Sequence, residues 1–325
     1  ADITLDANRG ITLAGGNSGF HTWTGFTTTV DGAISGTGNL TKSDGGTLIL
    51  NGGSTHTGDV RVEGGVLDVR SAITSADNIR LSGTSALVIG PGSTITTDRI
   101  VTADGNGAQS TVTHNGGILN VTGINNANNT GASILFGHWG AGGASSTYNF
   151  SAGEINALGA EMSFGWDSGN VVMNQTGGTA NLLGLDVGNG RNNAATYNLE
   201  GGTLNIGANG ITNASNKTLN LGGGTLGSLA SWSSAKDAVL TGTGGDVSIN
   251  PAAGHVITLS GALSGGGGFT KDGDGTLVLS NAGNTYTGTS IVNAGTLNLN
   301  GNASQLTGNS GARLQGGPNR AAGTG

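Results

Sequence analysis

Apolar and polar residues alternate along this chain over four to six positions and then meet Gly, Asn, Asp or Ser. That is the pattern of short strands broken by turns, and helical periodicity is nearly absent. One phrase recurs: a strand, a glycine corner, a second strand. It runs from Val112 to Val121, Tyr148 to Asn156, Val172 to Asn181, Tyr197 to Ile206 and Leu219 to Leu226. The second glycines fall at 117, 153, 178, 202 and 224, in steps of 36, 25, 24 and 22 residues. A second marker keeps the same phase, in Leu135-Phe136-Gly137, Ser163-Phe164-Gly165 and Asp186-Val187-Gly188. A period of about 22–25 residues predicts the coils of a parallel β-helix, with three short strands and three turns per coil. About 13 coils stacked at ~4.8 Å would make a rod of about 60 Å. A Gly-rich sandwich of antiparallel sheets is the rival architecture, and the repeated period disfavours it.

Inward positions in this scheme carry Leu, Val, Ile or Phe, and outward positions carry Thr, Asn and Ser, which suit the wet side of a pleated strand. The glycines permit the left-handed backbone of tight corners. The recurring Asn residues have two readings, hydrogen-bonded ladders from coil to coil or simple turn preference.

The strongest internal similarity lies further apart. Residues 34–50 read ISGTGNLTKSDGGTLIL and residues 263–279 read LSGGGGFTKDGDGTLVL, 229 positions on. Each continues through a Thr-rich turn, His56-Thr57-Gly58 or Tyr286-Thr287-Gly288, to a closing strand at Leu67 or Leu297, where the offset has become 230. The copies at 34–69 and 263–299 bracket the weaker coils, so residues 1–307 are expected to form a single continuous β-solenoid. The last stretch, 308–325, loses the alternation and is expected to be an irregular tail, the start of a further coil or a truncation point.

Composition sharpens this picture. Glycine supplies 66 of 325 residues without collagen's three-residue period, which on its own suggests disorder. Hydrophobics at 34% in regular alternation and a charged fraction of only 10% argue for folded β structure instead. The net charge is −7 and the 12 Lys and Arg residues are scattered, so no basic stripe exists to follow a phosphate backbone and nucleic acid is not an expected partner. Absence of cysteine removes disulfides and thiolate metal sites. No apolar run has the length of a membrane helix. No signal peptide is read, and Ala1 is compatible with a mature N-terminus left by cleavage.

The phrase ISGTGNLTKSDGGTLIL followed by THTGDVRVEGGVLDV, with its partner LSGGGGFTKDGDGTLVL followed by TYTGTSIVNAGTLNL, resembles the passenger-associated transport repeat of bacterial autotransporters. The lead-in from Ala7 to Leu13 resembles that of large Gly-rich surface proteins carrying this repeat. The resemblance implies a right-handed parallel β-helix on an exported protein. It does not imply one activity, since the family includes adhesins, self-associating proteins and enzymes. No barrel-forming region of the kind autotransporters carry is read in this sequence.

Candidate chemistry is sparse. Asp272-Gly273-Asp274-Gly275-Thr276 is acidic and Gly-rich like a calcium loop, but the aligned copy, Ser43 to Thr47, keeps one acid and no distal Glu follows. A turn is the better account, and no metal or other cofactor is expected. Polysaccharide lyases and hydrolases also use β-helices; here Glu154, Glu161, Asp167 and Asp186, with Arg191, are spread over successive coils and read as solvated charge. His21, His56, His114, His138 and His255 lack metal-site spacing. Trp139, Tyr148, Trp166 and Trp232 are the candidate carbohydrate contacts, if they align on one face, with core packing as the commoner role of such rings. The expectation is a non-enzymatic structural or adhesive solenoid, extracellular or on the bacterial outer surface. It would display a Thr/Asn-rich face and bind itself, end to end or laterally into fibres, or a cell-surface polysaccharide. The alternative is a polysaccharide-active or carbohydrate-binding β-helix.

Overall fold

A computed structural model describes residues 1–74, 77–123, 132–137, 143–164, 169–188, 194–212, 217–299, 306–308 and 313–316. Among these residues there is no helix, and hence none able to cross a membrane. Parallel strands stack into a β-solenoid of about 12 turns with three faces.

The first face is followed by one inward column, each member paired to the next: Leu5, Val30, Leu50, Val69, Ile89, His114, Phe150, Gln175, Leu199, Leu221 and Leu240. The second face begins at Ile11 and Ile34, passes Ser54 by isolated bridges, and runs through Ile73, Ile95, Leu119, Ile155, Ala180, Leu204, Leu226 and Ile249 to Lys271 and Val292. The third carries Leu40, Val60, Ile79, Ile100, Ile134, Met162, Leu185 and Ile211, then Trp232, Ile257, Leu277 and Leu297. The buried apolar members of these columns belong to one core cluster from Leu13 to Leu297, with Leu5 and Ile11 packed against it.

Coil length is set by the corners. Gly117, Gly153, Gly178, Gly202 and Gly224 all have positive φ, from 63° to 97°. A Cβ on Gly202 would lie 2.3 Å from the carbonyl oxygen of Gly178 one coil below, a distance no side chain tolerates. Because glycine bends the backbone without ending the pairing, the middle coils differ from the expected three short strands. Ser145–Phe164, Asn170–Asp186 and Ala195–Thr212 each run as one strand around the corners. In the end stretch Arg313–Gly316 pairs in parallel with Thr296–Leu299.

Of the two readings for Asn, the ladder holds in the middle coils. Asn156 Nδ2 donates to Asn120 Oδ1, Asn181 to Asn156 and Asn205 to Asn181, at 3.1, 2.9 and 2.9 Å. On the first face Asn174 donates to Asn149, Asn198 to Asn174 and Asn220 to Asn198, at 2.9, 2.8 and 2.7 Å. The partners are 36, 25 and 24, then 25, 24 and 22 residues apart, the same steps as the corner glycines. Such chains of amides polarise one another and fix their rotamers.

Polar groups also enter the core. His114 Nε2 lies 3.3 Å from the Gly117 carbonyl, which can only accept, so that nitrogen carries the proton and Nδ1 accepts from the Tyr148 hydroxyl at 3.0 Å. Two coils further on, the Tyr197 hydroxyl donates to Gln175 Oε1, and Gln175 Nε2 donates to the Thr203 carbonyl at 2.9 Å.

Burial lowers the His114 pKa to about 4, against hydrogen bonds to the backbone at Gly117 and Gly116. An unfolded histidine binds its proton near pH 6.5, so this site stabilises the fold fully above pH 6.5 and loses that contribution as pH falls towards 4. The loss is about 3 kcal/mol. Urea titrations at pH 7 and pH 4 should show wild type losing more stability than His114→Phe by roughly this amount; parallel pH profiles for the two would refute it.

Candidate functional site

The two long repeats contain the most specific side-chain arrangement in the molecule. Lys42 points inward from Asn39–Ser43 and is 1% exposed. Its ammonium donates to the carbonyls of Ser43 and Asp44 at 2.7 Å each, and to that of Gly64 on the next coil at 3.1 Å. Lys271 repeats this on the carbonyls of Asp272, Gly273 and Ala294, at 2.7, 2.8 and 3.0 Å. An ammonium has three donors and no acceptor, and here all three are used. Burial lowers Lys271 to about 8, opposed by Asp272 and Asp274, so the group is still cationic at neutral pH. Burial lowers Lys42 as well, opposed by Asp44. The turns match too: Asp44 and its counterpart Gly273 have φ of 63° and 72°, and Gly65 and Gly295 have 64° and 65°. Each lysine closes a left-handed turn and ties it to the coil beyond.

The copies do not, however, point the same way around the rod. Asn39–Ser43 lies on the third face and Phe269–Lys271 on the second. The repeat is a corner that one face or another can carry.

The same geometry decides the calcium-like loop. The carbonyls of Asp272 and Gly273 already hold the Lys271 ammonium, and the Asp272 carboxylate accepts from Ser248 Oγ at 2.6 Å and Asn293 Nδ2 at 2.8 Å. These contacts make the stretch a braced turn. Among the described residues no group of three or more His, Cys, Asp or Glu side chains is placed to hold a metal.

Two of the four candidate sugar contacts, Tyr148 and Trp232, lie among the described residues. Tyr148 is 1% exposed, packed edge-on to Phe136 with ring centroids 5.5 Å apart. Trp232 is 4% exposed, its indole N–H donating to the Gly227 carbonyl at 3.3 Å. Both occupy inward positions, so neither ring is available to stack on a sugar. Trp139 and Trp166 lie outside the described residues, as do His138, Asp167 and Arg191.

Two other constellations remain. Ser43 Oγ and Asp44 Oδ2 both approach Nδ1 of the exposed His21, at 2.9 and 3.2 Å; a relay needs them on opposite nitrogens, so this trio cannot pass a proton along. Asp186 stacks on Ser163, which donates to it at 3.0 Å. Burial raises the Asp186 pKa and nearby Glu161 adds to this, against the Ser163 and Gly188 hydrogen bonds and Lys217. Glu154 lies one face away, paired in register with Thr179.

Two shallow hollows escaped the sequence reading, since their residues are about a coil apart. They flank the corner from the third face to the first. One, of about 290 Å³, is lined by Arg61, Glu63, Arg80, Ser82 and Asp104, with Arg61 paired to Asp59 at 2.9 Å and Arg80 to Asp104 at 2.7 Å. The other, of about 340 Å³, lies across Thr84, Gln109 and Ser145.

The passenger-associated-transport-repeat family model matches residues 40–69 and 269–299, which contain both corner lysines and every carbonyl they bind. The "Adhesin BmaC autotransporter" of Brucella suis biovar 1 (strain 1330) is 31% identical over 300 residues, covering 88% of this chain and 8% of that protein. The chain therefore spans a small part of the relative's length. No solved structure matches the chain.

Replacing Lys271 with Met keeps the volume but strands three carbonyls, and should cost about 2–4 kcal/mol in denaturant unfolding. Amide exchange at residues 272–276 and 294–296 should quicken in the same variant. Lys271→Arg should not restore stability, because a planar guanidinium cannot send three donors from one nitrogen to three surrounding carbonyls. Wild-type exchange in Lys271→Met would refute the coil-tying role.

Proposed function

The chain is an autotransporter-passenger-like repeat protein, a parallel β-solenoid with two passenger-associated transport repeats, and we propose that it serves as a non-enzymatic adhesive element on the bacterial outer surface. The observation that carries this reading is the ordered outer lattice of the middle coils. On the first face Thr111, Thr147, Val172, Thr196 and Thr218 form one outward column, threonine at every coil but one, beside the ladder from Asn149 to Asn220. On the second, Thr179, Thr203 and Thr225 stand beside the ladder from Asn120 to Asn205. Side chains already held by neighbours lose little rotamer freedom when a ligand docks, so many weak contacts can add up along the rod. The adhesin named among the relatives supports both the adhesive role and the surface location.

The same reading includes self-association, end to end or laterally into fibres, in which the outward Thr and Asn rows of one rod meet those of another.

The second reading, a polysaccharide-active β-helix, draws on the raised carboxyl of Asp186 beside Glu161 and Lys217. It predicts turnover of a polyuronate or neutral glycan that disappears in Asp186→Asn. On the adhesive reading no such turnover occurs.

Beads coated with the folded chain should adhere to host cells or extracellular matrix well above beads coated with heat-unfolded chain. Small-angle scattering should give a rod of about 60 Å at low concentration, lengthening as concentration rises. Equal binding by folded and unfolded coats would sink the adhesive reading. A fixed length at every concentration would sink self-association.

A further inference from the structure

Six asparagines in the chain stand directly before a glycine, at 51, 106, 115, 189, 209 and 300. Asn189 and Asn300 lie outside the described residues. The other four are all exposed, so access to water does not distinguish them. Their backbones do. Asn51 Nδ2 donates to Asp31 Oδ1 at 2.7 Å, and the Gly52 N–H donates to the Val30 carbonyl at 3.1 Å. Asn209 donates to Glu161 Oε1 at 2.7 Å and lies inside the continuous strand Ala195–Thr212. Asn115 lies inside Gln109–Val121, and a Cβ on Gly116 would meet the Pro91 Cα at 2.7 Å, so that corner is pressed against the coil before it.

Asn106 stands apart from these three. It sits at the tip of the turn from Gly105 to Ala108, closed by the Ala108 N–H on the Gly105 carbonyl at 3.2 Å. Among the described residues neither its side-chain amide nor the Gly107 N–H makes a hydrogen bond. Gly105 and Gly107 have φ of 124° and 68°, and a Cβ on Gly105 would meet nothing within 4 Å. Glycine on each side leaves the tip free to rotate. The roots of the loop are fixed: Ala103 and Ala108 are 0% and 2% exposed and cluster with Ala144, and Asp104 holds Arg80 at 2.7 Å.

We propose that Asn106 is a self-modification site, at which the folded chain deamidates with water as its co-reactant. The Gly107 nitrogen gives its proton to solvent base and attacks Asn106 Cγ. A C–N bond forms there, the side-chain nitrogen leaves as ammonia, and a five-membered imide remains. Water then opens the imide. Opening at Cγ gives aspartate, and opening at the main-chain carbonyl gives isoaspartate, with the chain running through the former side chain. One water is consumed, one ammonium is released and one carboxylate is gained; nothing is oxidised or reduced. The attack is intramolecular, so proximity is already supplied, and glycine at 107 puts no side chain in its way. At the other three sites a strand or corner must open first, and that opening equilibrium slows the reaction. The product places a new negative charge two residues from Asp104, on the corner between the two hollows. The surface of that corner changes as the chain ages, while the coils beneath keep their register. None of these steps depends on the adhesive role.

In the test, the whole folded chain is incubated at mildly alkaline pH in water enriched in heavy oxygen, then digested in ordinary water. The label marks only what reacted during incubation. Peptide mass spectrometry should show Asn106 converted at least tenfold faster than Asn51, Asn115 or Asn209, to a mixture of aspartate and isoaspartate. In concentrated urea the four rates should converge, since the fold no longer holds the other three. Asn106→Gln should remove the fast conversion, because the longer side chain cannot close a five-membered ring. Circular dichroism before and after incubation confirms that the chain stays folded. Equal rates at the four sites of the folded chain, a faster site among the other three, or the same tenfold ratio in urea would each overturn the assignment.

Discussion

Every coil of this molecule must lie in register on the coil before it, and the rest of the structure follows from that. Parallel backbone pairing leaves no freedom at the corners, where the chain bends while its neighbours press from both sides. The Cβ-free residues at 117, 153, 178, 202 and 224 meet that demand with left-handed φ angles. Once the corners are stacked, inward residues fall into columns and outward residues into rows. The Asn ladders are a consequence: the register places each amide opposite the next, and the hydrogen bonds then stiffen what the backbone has already aligned.

The corner lysines solve a harder version of the same problem. A turn whose carbonyls converge on the interior would carry unsatisfied acceptors. Lys42 and Lys271 supply three donors from one buried atom, two for their own turn and one for the next coil. Desolvating an ammonium is unfavourable, which is why burial lowers both pKa values; the cost is met by three charge-assisted bonds to carbonyls at each site. An acidic, Gly-rich turn that reads as a cation loop is indeed built around a cation, but the cation is covalently part of the chain.

The glycine period was legible because one physical event, the corner, repeats once per coil; its steps reappear unchanged as the separations between Asn partners. The place of Tyr148 has a reason equally local. Tyr148 stands between Thr147 and Asn149, both outward, so strand alternation alone sends its ring inward; Tyr197 between Thr196 and Asn198 obeys the same rule. For Tyr148 parity selects core packing, the commoner role of such rings. The two hollows had no sequence signal of that kind. Thr84, Gln109 and Ser145 become neighbours only when the lengths of two successive coils, one of them the long one, are known.

The one-face rotation between the long repeats has the widest consequence. Had the phrase encoded a surface, its two copies would need to face the same direction to act together on one ligand. They occupy different faces, so the outward threonines they share, Thr47 with Thr276 and Thr57 with Thr287, point in different directions, while a lysine, three carbonyls and a left-handed turn are shared inside. Even the buried pair next to the staple is exchanged, with His56 on Ser54 in the first copy and Tyr286 on Ser290 in the second, each at 2.7 Å. What is preserved is therefore the ability to close a coil and hold the next one, wherever around the rod that coil begins. Stability in such a stack is a sum of nearest-neighbour terms, so each staple strengthens the junction between its own coil and the next. The coils between the two staples are then free to vary outward chemistry without losing register, and the Asn rows lie there.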